Sequence, residues 1–230
     1  MTSPHLDPSR PHVKVCCISS PAEADMALAA GAHALGLVSA MPSGPGVIDE
    51  ALIARIAAQV ARQRPEVQTF LLTPQTTAAA IVAQHQRCRT TTLQLVDHVP
   101  HGELARLRAA LPGVRLVQVI HVTGEASVAE AVAAAPLVDA ILLDSGNPAA
   151  AVKALGGTGR THDWALSRRI RAAVAALGKP LYLAGGLHAG NVAEAVATVR
   201  PFGLDVCSGV RQGGQLDASR LAAFMAARPG

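Results

Sequence analysis

The sequence predicts an α/β fold of one domain, a single (β/α)8 TIM barrel. Three observations carry that prediction. Short apolar runs alternate with longer helix-like stretches, eight of each along the chain. The apolar runs are continuous rather than mixed with polar residues, which is how strands read when both faces of a parallel sheet are covered. The 230 residues are what one such barrel uses, and no linker or shift of composition marks a second domain. A doubly wound open sheet is the competing architecture, but it is usually built on about five or six strands.

Residues 1–11 are polar and carry prolines, and are expected to form a flexible N-terminal tail before a barrel domain at 12–230. Residues 12–19 read as the first strand. A helix over 21–31 follows, with Ser20 as N-cap, Pro21 in its first position and Gly31 as its stop. The second strand, 34–40, runs into a loop at 41–46 too rich in Pro and Gly to be helical. Asp49 caps a helix that runs to about Arg62. Further strands are expected at 68–73, 91–97, 115–122, 138–145, 181–187 and 204–210. Helices fall between and after them, at 76–85, 102–111, 126–135, 163–177, 189–199 and 217–227. Pro112-Gly113, Pro136 and Gly178-Lys179-Pro180 stop three of these helices.

Half of the residues are hydrophobic but only 2% are aromatic, so the core must be built of Ala, Val, Leu and Ile. The net charge is +4 and the pI about 9.2. The basic residues are mostly Arg, spread along the helical stretches as solvated faces, which argues against a nucleic-acid partner. A modest positive bias also suits an anionic substrate. Cys16, Cys17, Cys88 and Cys207 show no metal-type spacing and no disulfide framework. Reduced thiols in the cytoplasm are the simple reading. No apolar run has the length of a signal-peptide core near the start or of a membrane span elsewhere, so no membrane association is expected. Nothing in the sequence sets the oligomeric state.

A barrel of this kind carries its chemistry at the C-terminal ends of its strands, where side-chain parity sorts the candidates. Val13 and Val15 belong against the helices, and Cys17 shares their parity. Lys14 and Cys16 then point into the barrel. The same count turns Leu142 and Asp144 inward, and Gln94 and Val96 likewise. Cys16 and Asp144 come to stand on opposite walls of one mouth, because the first and sixth strands lie far apart around the ring. A thiol facing a carboxyl suits acid–base chemistry on a small polar molecule. Bland readings stand beside this one: Cys16 as a small buried hydrophobe, Asp144 as an ordinary turn aspartate. Lys14 is harder to explain away, since an inward lysine is costly without a partner or a ligand.

Glycines mark three turns at consecutive strand ends: 156–159 after the sixth strand, Gly185-Gly186 after the seventh and Ser208-Gly209 after the eighth. Such turns let backbone N–H groups approach an anion, and the last two loops hold phosphate in many of these barrels. Any one pair is also an ordinary loop. Three together point to a phosphosugar held by Gly157, Gly159, Gly185, Gly186, Ser208 and Gly209.

These stretches resemble the phosphoribosylanthranilate isomerase family. The matching residues are Lys14-Val15-Cys16-Cys17-Ile18-Ser19, Leu93-Gln94-Leu95, Leu142-Leu143-Asp144-Ser145, the run 156–164, Leu183-Ala184-Gly185-Gly186-Leu187 and Asp205-Val206-Cys207-Ser208-Gly209-Val210. They run in family order over nearly the whole chain. The resemblance implies an aldose–ketose isomerase, an intramolecular oxidoreductase, that carries out the Amadori rearrangement of tryptophan biosynthesis. It implies Cys16 as general base and Asp144 as general acid, with the substrate's phosphate on the three glycine turns. It also implies that no metal or organic cofactor is needed, the anthranilate nitrogen serving as electron sink. Lys14, Gln94 and Arg211 are the expected substrate-binding side chains.

Three positions depart from the family's usual pattern. The loop after the second strand has no cation where the family carries an arginine for the anthranilate carboxylate. Val96 stands where an inward histidine is usual. Arg211 replaces a glutamate after the eighth strand. Arg211 can take over the carboxylate, or be a solvated loop residue beside the turn at Gly213-Gly214. Two alternatives therefore stand beside the isomerase: a paralogous phosphosugar isomerase with another aglycone, and a non-catalytic phosphosugar-binding barrel.

Overall fold

The computed structural model describes residues 11–42, 44–145 and 163–229. The expected tail, save Pro11, and the glycine cluster at 156–159 lie outside the described residues. Eight parallel strands close into a barrel in sequence order. They are β1 (His12–Val15), β2 (Ala34–Val38), β3 (Gln68–Thr73), β4 (Thr92–Leu95), β5 (Arg115–His121), β6 (Ala140–Asp144), β7 (Leu181–Leu183) and β8 (Gly203–Val206). Helices α1 (Pro21–Ala29), α2 (Glu50–Gln63), α3 (Ala78–Cys88), α4 (His101–Ala110), α5 (Ala126–Ala134), α6 (Trp164–Ala176), α7 (Val192–Val199) and α8 (Ala218–Ala227) follow them in turn. The ring shuts where β1 pairs with β8, with Lys14 opposite Asp205.

Local chemistry fixes the helix starts. Ser20 accepts from the Glu23 N–H at 3.1 Å while the Glu23 carboxylate accepts from the Ser19 N–H at 2.8 Å, so two amide groups left over at the start of α1 are satisfied by one turn. Asp49, Asp163 and Asp217 cap α2, α6 and α8 in the same way. None of the described helices is long and apolar enough to cross a membrane.

Strand parity divides the apolar side chains into two layers. Val13, Val15, Leu35, Leu37, Leu93, Leu95, Ile141 and Leu143 pack outward against the helices. The inner layer holds Ala34, Val38, Phe70, Leu72, Val96, Val117, Val119, Leu142 and Tyr182. Few aromatics are available, and the ring centre uses them: Phe70 and Tyr182 meet edge to face at 5.9 Å, and Tyr182 meets Phe202 at 5.2 Å. Gly203 makes room for this, because a Cβ there would lie 2.5 Å from the Tyr182 ring.

The strands end earlier than their apolar letters suggest. β1 was expected to reach residue 19, β7 residue 187 and β8 residue 210, but pairing stops at Val15, Leu183 and Val206. Ile18, Leu187 and Val210 are buried all the same, so apolar content marks burial there rather than extension. Cys17 (φ 63°) and Gly185-Gly186 (φ 88° and 62°) turn the chain off the sheet. One element was not expected: a short antiparallel hairpin, β9 (Arg211–Gln212) and β10 (Gln215–Leu216), joined by Gly213-Gly214. Both glycines have positive φ, as a tight two-residue hairpin turn requires.

Candidate active site

At the mouth, β1 and β8 bring a cation and a carboxylate together. The Lys14 side chain is fully buried, and its Nζ lies 2.8 Å from Asp205 Oδ2. Burial alone would strip the proton from this amine. Asp205 and Cys16 outweigh that and hold Lys14 well above the usual lysine range. The ammonium also lies 5.3 Å from the centre of the Phe70 ring, a favourable cation–π contact. Gly36 on β2 opens this corner: a Cβ there would lie 2.7 Å from Cys16 Sγ and 3.0 Å from Lys14 Nζ. Cys16 is thus inward and buried beside an ammonium that a carboxylate secures. Asp205 was missed as a site residue. Its signal was available, since it shares the parity of Gly203 and faces Lys14 across the ring closure.

Cys17 corrects the parity argument. It was expected against the helices, yet it packs in the inner layer. Alternation holds only while the chain is extended, and Cys17 has left the strand for a left-handed conformation. Its sulfur lies 3.0 Å from Cys207 Sγ and 3.6 Å from the Pro45 carbonyl. The loop after β2 folds down on it so closely that a Cβ at Gly46 would lie 2.5 Å from Cys17 Cβ. Of the two thiols, Cys207 is drawn toward thiolate by Cys17, against its own burial and with help from Arg211. Cys17 is pushed the other way by Cys16 and Cys207, and by burial.

Across the mouth, Asp144 ends β6 as an inward, buried carboxyl. Burial pushes it above the usual carboxylate range, against the opposing pull of the Ser145 N–H, which donates to Oδ1 at 2.7 Å, and of His121. A carboxyl whose protonated form is favoured by burial is suited to act as a general acid. Gln94 is buried on β4, and its Oε1 has no partner among the described residues. His121, at the end of β5, was not anticipated. It has the parity of Val117 and Val119 and lies opposite Asp144 in the β5–β6 register.

Arg211 departs from the sequence expectation. Its guanidinium is buried rather than solvated, and its Nη atoms are held by protein partners. Nη1 and Nη2 each lie 3.1 Å from an oxygen of Glu23 on α1. The same group donates to the carbonyls of Gly214, Cys16 and Cys17. A fork-to-fork pair of this kind anchors the hairpin to the first βα loop. The guanidinium is thus a strut beneath Cys16 and Cys17. Glu23 stands in the first turn of α1, and this partner is 188 residues away.

The glycine turns after β7 and β8 are neighbours. Gly209 packs so tightly on the β7 loop that a Cβ would lie 2.0 Å from the Leu187 carbonyl oxygen. Asn191 ties that loop together, accepting from the His188 N–H at 2.8 Å and donating to the Gly186 carbonyl at 3.0 Å. Gly185, Gly186, Ser208 and Gly209 thus line one side of the mouth, while Gly157 and Gly159 lie outside the described residues.

Comparison with known proteins gives a consistent picture. The family model for N-(5'-phosphoribosyl)anthranilate isomerase matches residues 13–227. An N-(5'-phosphoribosyl)anthranilate isomerase of Methanocella arvoryzae is 35% identical over 198 residues, 86% of this chain and 88% of the relative. One from Haloferax volcanii is 38% identical over 217 residues, 94% of this chain and 91% of the relative. Among solved structures, the phosphoribosyl anthranilate isomerase of Thermotoga maritima superposes with a TM-score of 0.79 at 26% identity, covering 95% of this chain and 98% of that one.

Proposed function

The chain belongs to the N-(5'-phosphoribosyl)anthranilate isomerase family, and from that premise we propose how its own residues carry the reaction. The protein is an isomerase of tryptophan biosynthesis. It converts N-(5-phosphoribosyl)anthranilate to 1-(2-carboxyphenylamino)-1-deoxyribulose 5-phosphate by Amadori rearrangement.

Asp144 donates its proton to the ribose ring oxygen. The bond from C1 to that oxygen breaks as the anthranilate nitrogen lone pair forms a C1=N bond, giving a cationic Schiff base. Cys16, as thiolate, takes the proton from C2. The released electron pair forms the C1=C2 bond while the C1=N π pair returns to nitrogen, which leaves a neutral enolamine. The enol oxygen returns a proton to Asp144 and Cys16 delivers one to C1, which restores both groups and leaves the ketone at C2. No electrons enter or leave, so the residues present suffice without a cofactor.

The observation that carries this assignment is the inward Lys14, held by Asp205 beside the Cys16 thiol. An ammonium at that place faces the negative charge that the base carries as it works. On the opposite wall, burial favours the protonated form that the acid must be. The substrate's phosphate belongs on the turns at Gly157 and Gly159, Gly185-Gly186 and Ser208-Gly209, with Gln94 on the sugar below. A cytoplasmic location is part of the same reading, since four free thiols, two of them 3.0 Å apart, suit a reducing compartment.

The test has two arms. The gene should restore growth without tryptophan to a strain lacking this isomerase. In purified protein, Cys16→Ala and Asp144→Asn should each lower turnover by about 10²- to 10⁴-fold with the fold intact. A variant at either position with near wild-type turnover would remove the proposed roles.

A further inference from the structure

We propose that His121 contacts the substrate in this site: its Nδ1 accepts a hydrogen bond from a hydroxyl of the ribose, beside the carboxyl of Asp144. The inference rests on the isomerase reading and adds a residue to it that neither the motifs nor the family comparison singled out.

The side chain is only 8% exposed, and its parity with Val117 and Val119 aims it into the barrel at the mouth end of β5. Nε2 lies 3.0 Å from the Val96 carbonyl oxygen. A carbonyl can only accept, so Nε2 carries a proton, and in the tautomer with its single proton there Nδ1 presents a lone pair. That nitrogen is buried and has no partner among the described residues. A buried acceptor left unpaired is costly, and such groups are commonly satisfied by a ligand or an ordered water.

Its position decides between those. His121 and Asp144 are opposed in the register of adjacent strands, which run about 4.8 Å apart. The two side chains end neighbouring strands at the same level of the mouth, yet Nδ1 makes no hydrogen bond to the Asp144 carboxyl. A group is therefore needed that meets both walls. A ribose does so: its ring oxygen takes the proton of Asp144 while a hydroxyl of the same ring donates to Nδ1. The contact fixes the sugar's rotation about the line from the phosphate turns to Asp144, and so which ring atom faces Cys16. Gln94 Oε1, a second buried acceptor without a partner on the neighbouring β4, gives the sugar's other hydroxyl an equivalent place.

Three variants separate this role from a merely structural one. His121→Asn keeps an acceptor near the position of Nδ1 but cannot reach the Val96 carbonyl. His121→Gln can keep the Val96 contact but displaces the acceptor. His121→Phe keeps the volume and neither polar contact. Each is assayed for turnover of phosphoribosylanthranilate, for binding of ribose 5-phosphate by calorimetry, and for inhibition by inorganic phosphate. We expect the Phe and Gln variants to lose about tenfold in kcat/KM and to bind ribose 5-phosphate about five- to tenfold more weakly, the usual effect of one hydrogen bond. The Asn variant should stay close to wild type in both, and inhibition by phosphate should be unchanged in all three. Wild-type behaviour in His121→Phe overturns the proposal. So does the reverse order, Gln retaining function and Asn losing it, because the ring would then serve only to hold Val96. If the wild-type protein does not turn over phosphoribosylanthranilate, the isomerase reading falls instead, and the ribose 5-phosphate affinities of the same variants still decide whether His121 contacts the sugar.

Discussion

Replacing Asp205 with Ala would leave the Lys14 ammonium, fully buried, without the oxygen that now lies 2.8 Å away. Removing one side of a buried ion pair costs about 3–5 kcal/mol, because the remaining charge is stranded. In a domain of this length each kcal/mol moves Tm by about 2–4 °C, so Asp205→Ala should melt roughly 6–20 °C below wild type. The chain has one escape, which is to release the Lys14 proton, and then Cys16 loses its cation. Turnover should fall together with stability. The double variant Lys14→Met, Asp205→Leu separates the two effects. It fills the same corner with apolar atoms, a replacement that is often neutral or stabilising by about 1–4 kcal/mol. It should therefore melt at or above the wild-type temperature. Its turnover should nonetheless fall at least about tenfold, the usual order of the effect of one nearby opposite charge on an ionisable group. Thermal melts followed by circular dichroism at one pH and protein concentration, with steady-state kinetics on the same samples, read both quantities. An Asp205→Ala protein within about 2 °C of wild type would refute the stranded-charge reasoning. A double variant with full turnover would refute the link from Lys14 to Cys16.

Other outcomes follow from the same geometry. Arg211→Ala should lower Tm and leave KM for phosphoribosylanthranilate within about twofold, because its guanidinium is bound to Glu23 rather than offered to substrate; a raised KM at unchanged Tm would restore the substrate-facing role. Burial pushes the Glu23 carboxyl up, but Arg211 and the N–H groups of Leu216 and Ser19 outweigh it, so the folded state holds it below its ordinary value of 4.5. Its stabilisation is present above that value and is lost as pH falls below it, so the wild-type melt should drop between about pH 5 and pH 3 more steeply than that of Glu23→Gln. Arg89 ends α3 in the left-handed region at φ 55°; Arg89→Gly should relieve about 1 kcal/mol of strain and raise Tm by about 2–4 °C, and an unchanged melt would show that the cap carries no strain. Crystals grown with phosphate should hold the anion on the backbone N–H groups of Gly185-Gly186 and Ser208-Gly209, and an anion found only on surface arginines would count against the turns as the site.

The eight repeats were legible because their punctuation is local. Ser20, Asp49, Gly31, Pro136 and Gly178 each act within a turn of where they stand. Inward parity was legible for the same reason at Lys14, Gln94 and Asp144, all inside their strands or at the strand's last residue. It failed at Cys17, two residues past the end of β1, where a left-handed backbone resets the alternation. The ion partners were not legible. Asp205 and Glu23 meet Lys14 and Arg211 across 191 and 188 residues, and no local pattern encodes a contact made by closing a ring. His121 was hidden differently: its letter is common, and only the Val96 carbonyl, just past the end of the neighbouring β4, reveals which nitrogen is left over.

The seam between β1 and β8 gives the chain a timetable. Lys14 and Glu23 leave the ribosome early, while the residues that neutralise them come from the last thirty or so positions. A nascent chain holding seven strands must keep β1 wet, or bury an ammonium without its counter-ion. Closure is then a late step that sets many contacts at once, and contacts between such distant residues form slowly. The same dependence makes the C-terminus a poor place for cutting, since trimming β8 and its hairpin would release the start of the barrel rather than its end. The first strand of this protein is the last to be finished.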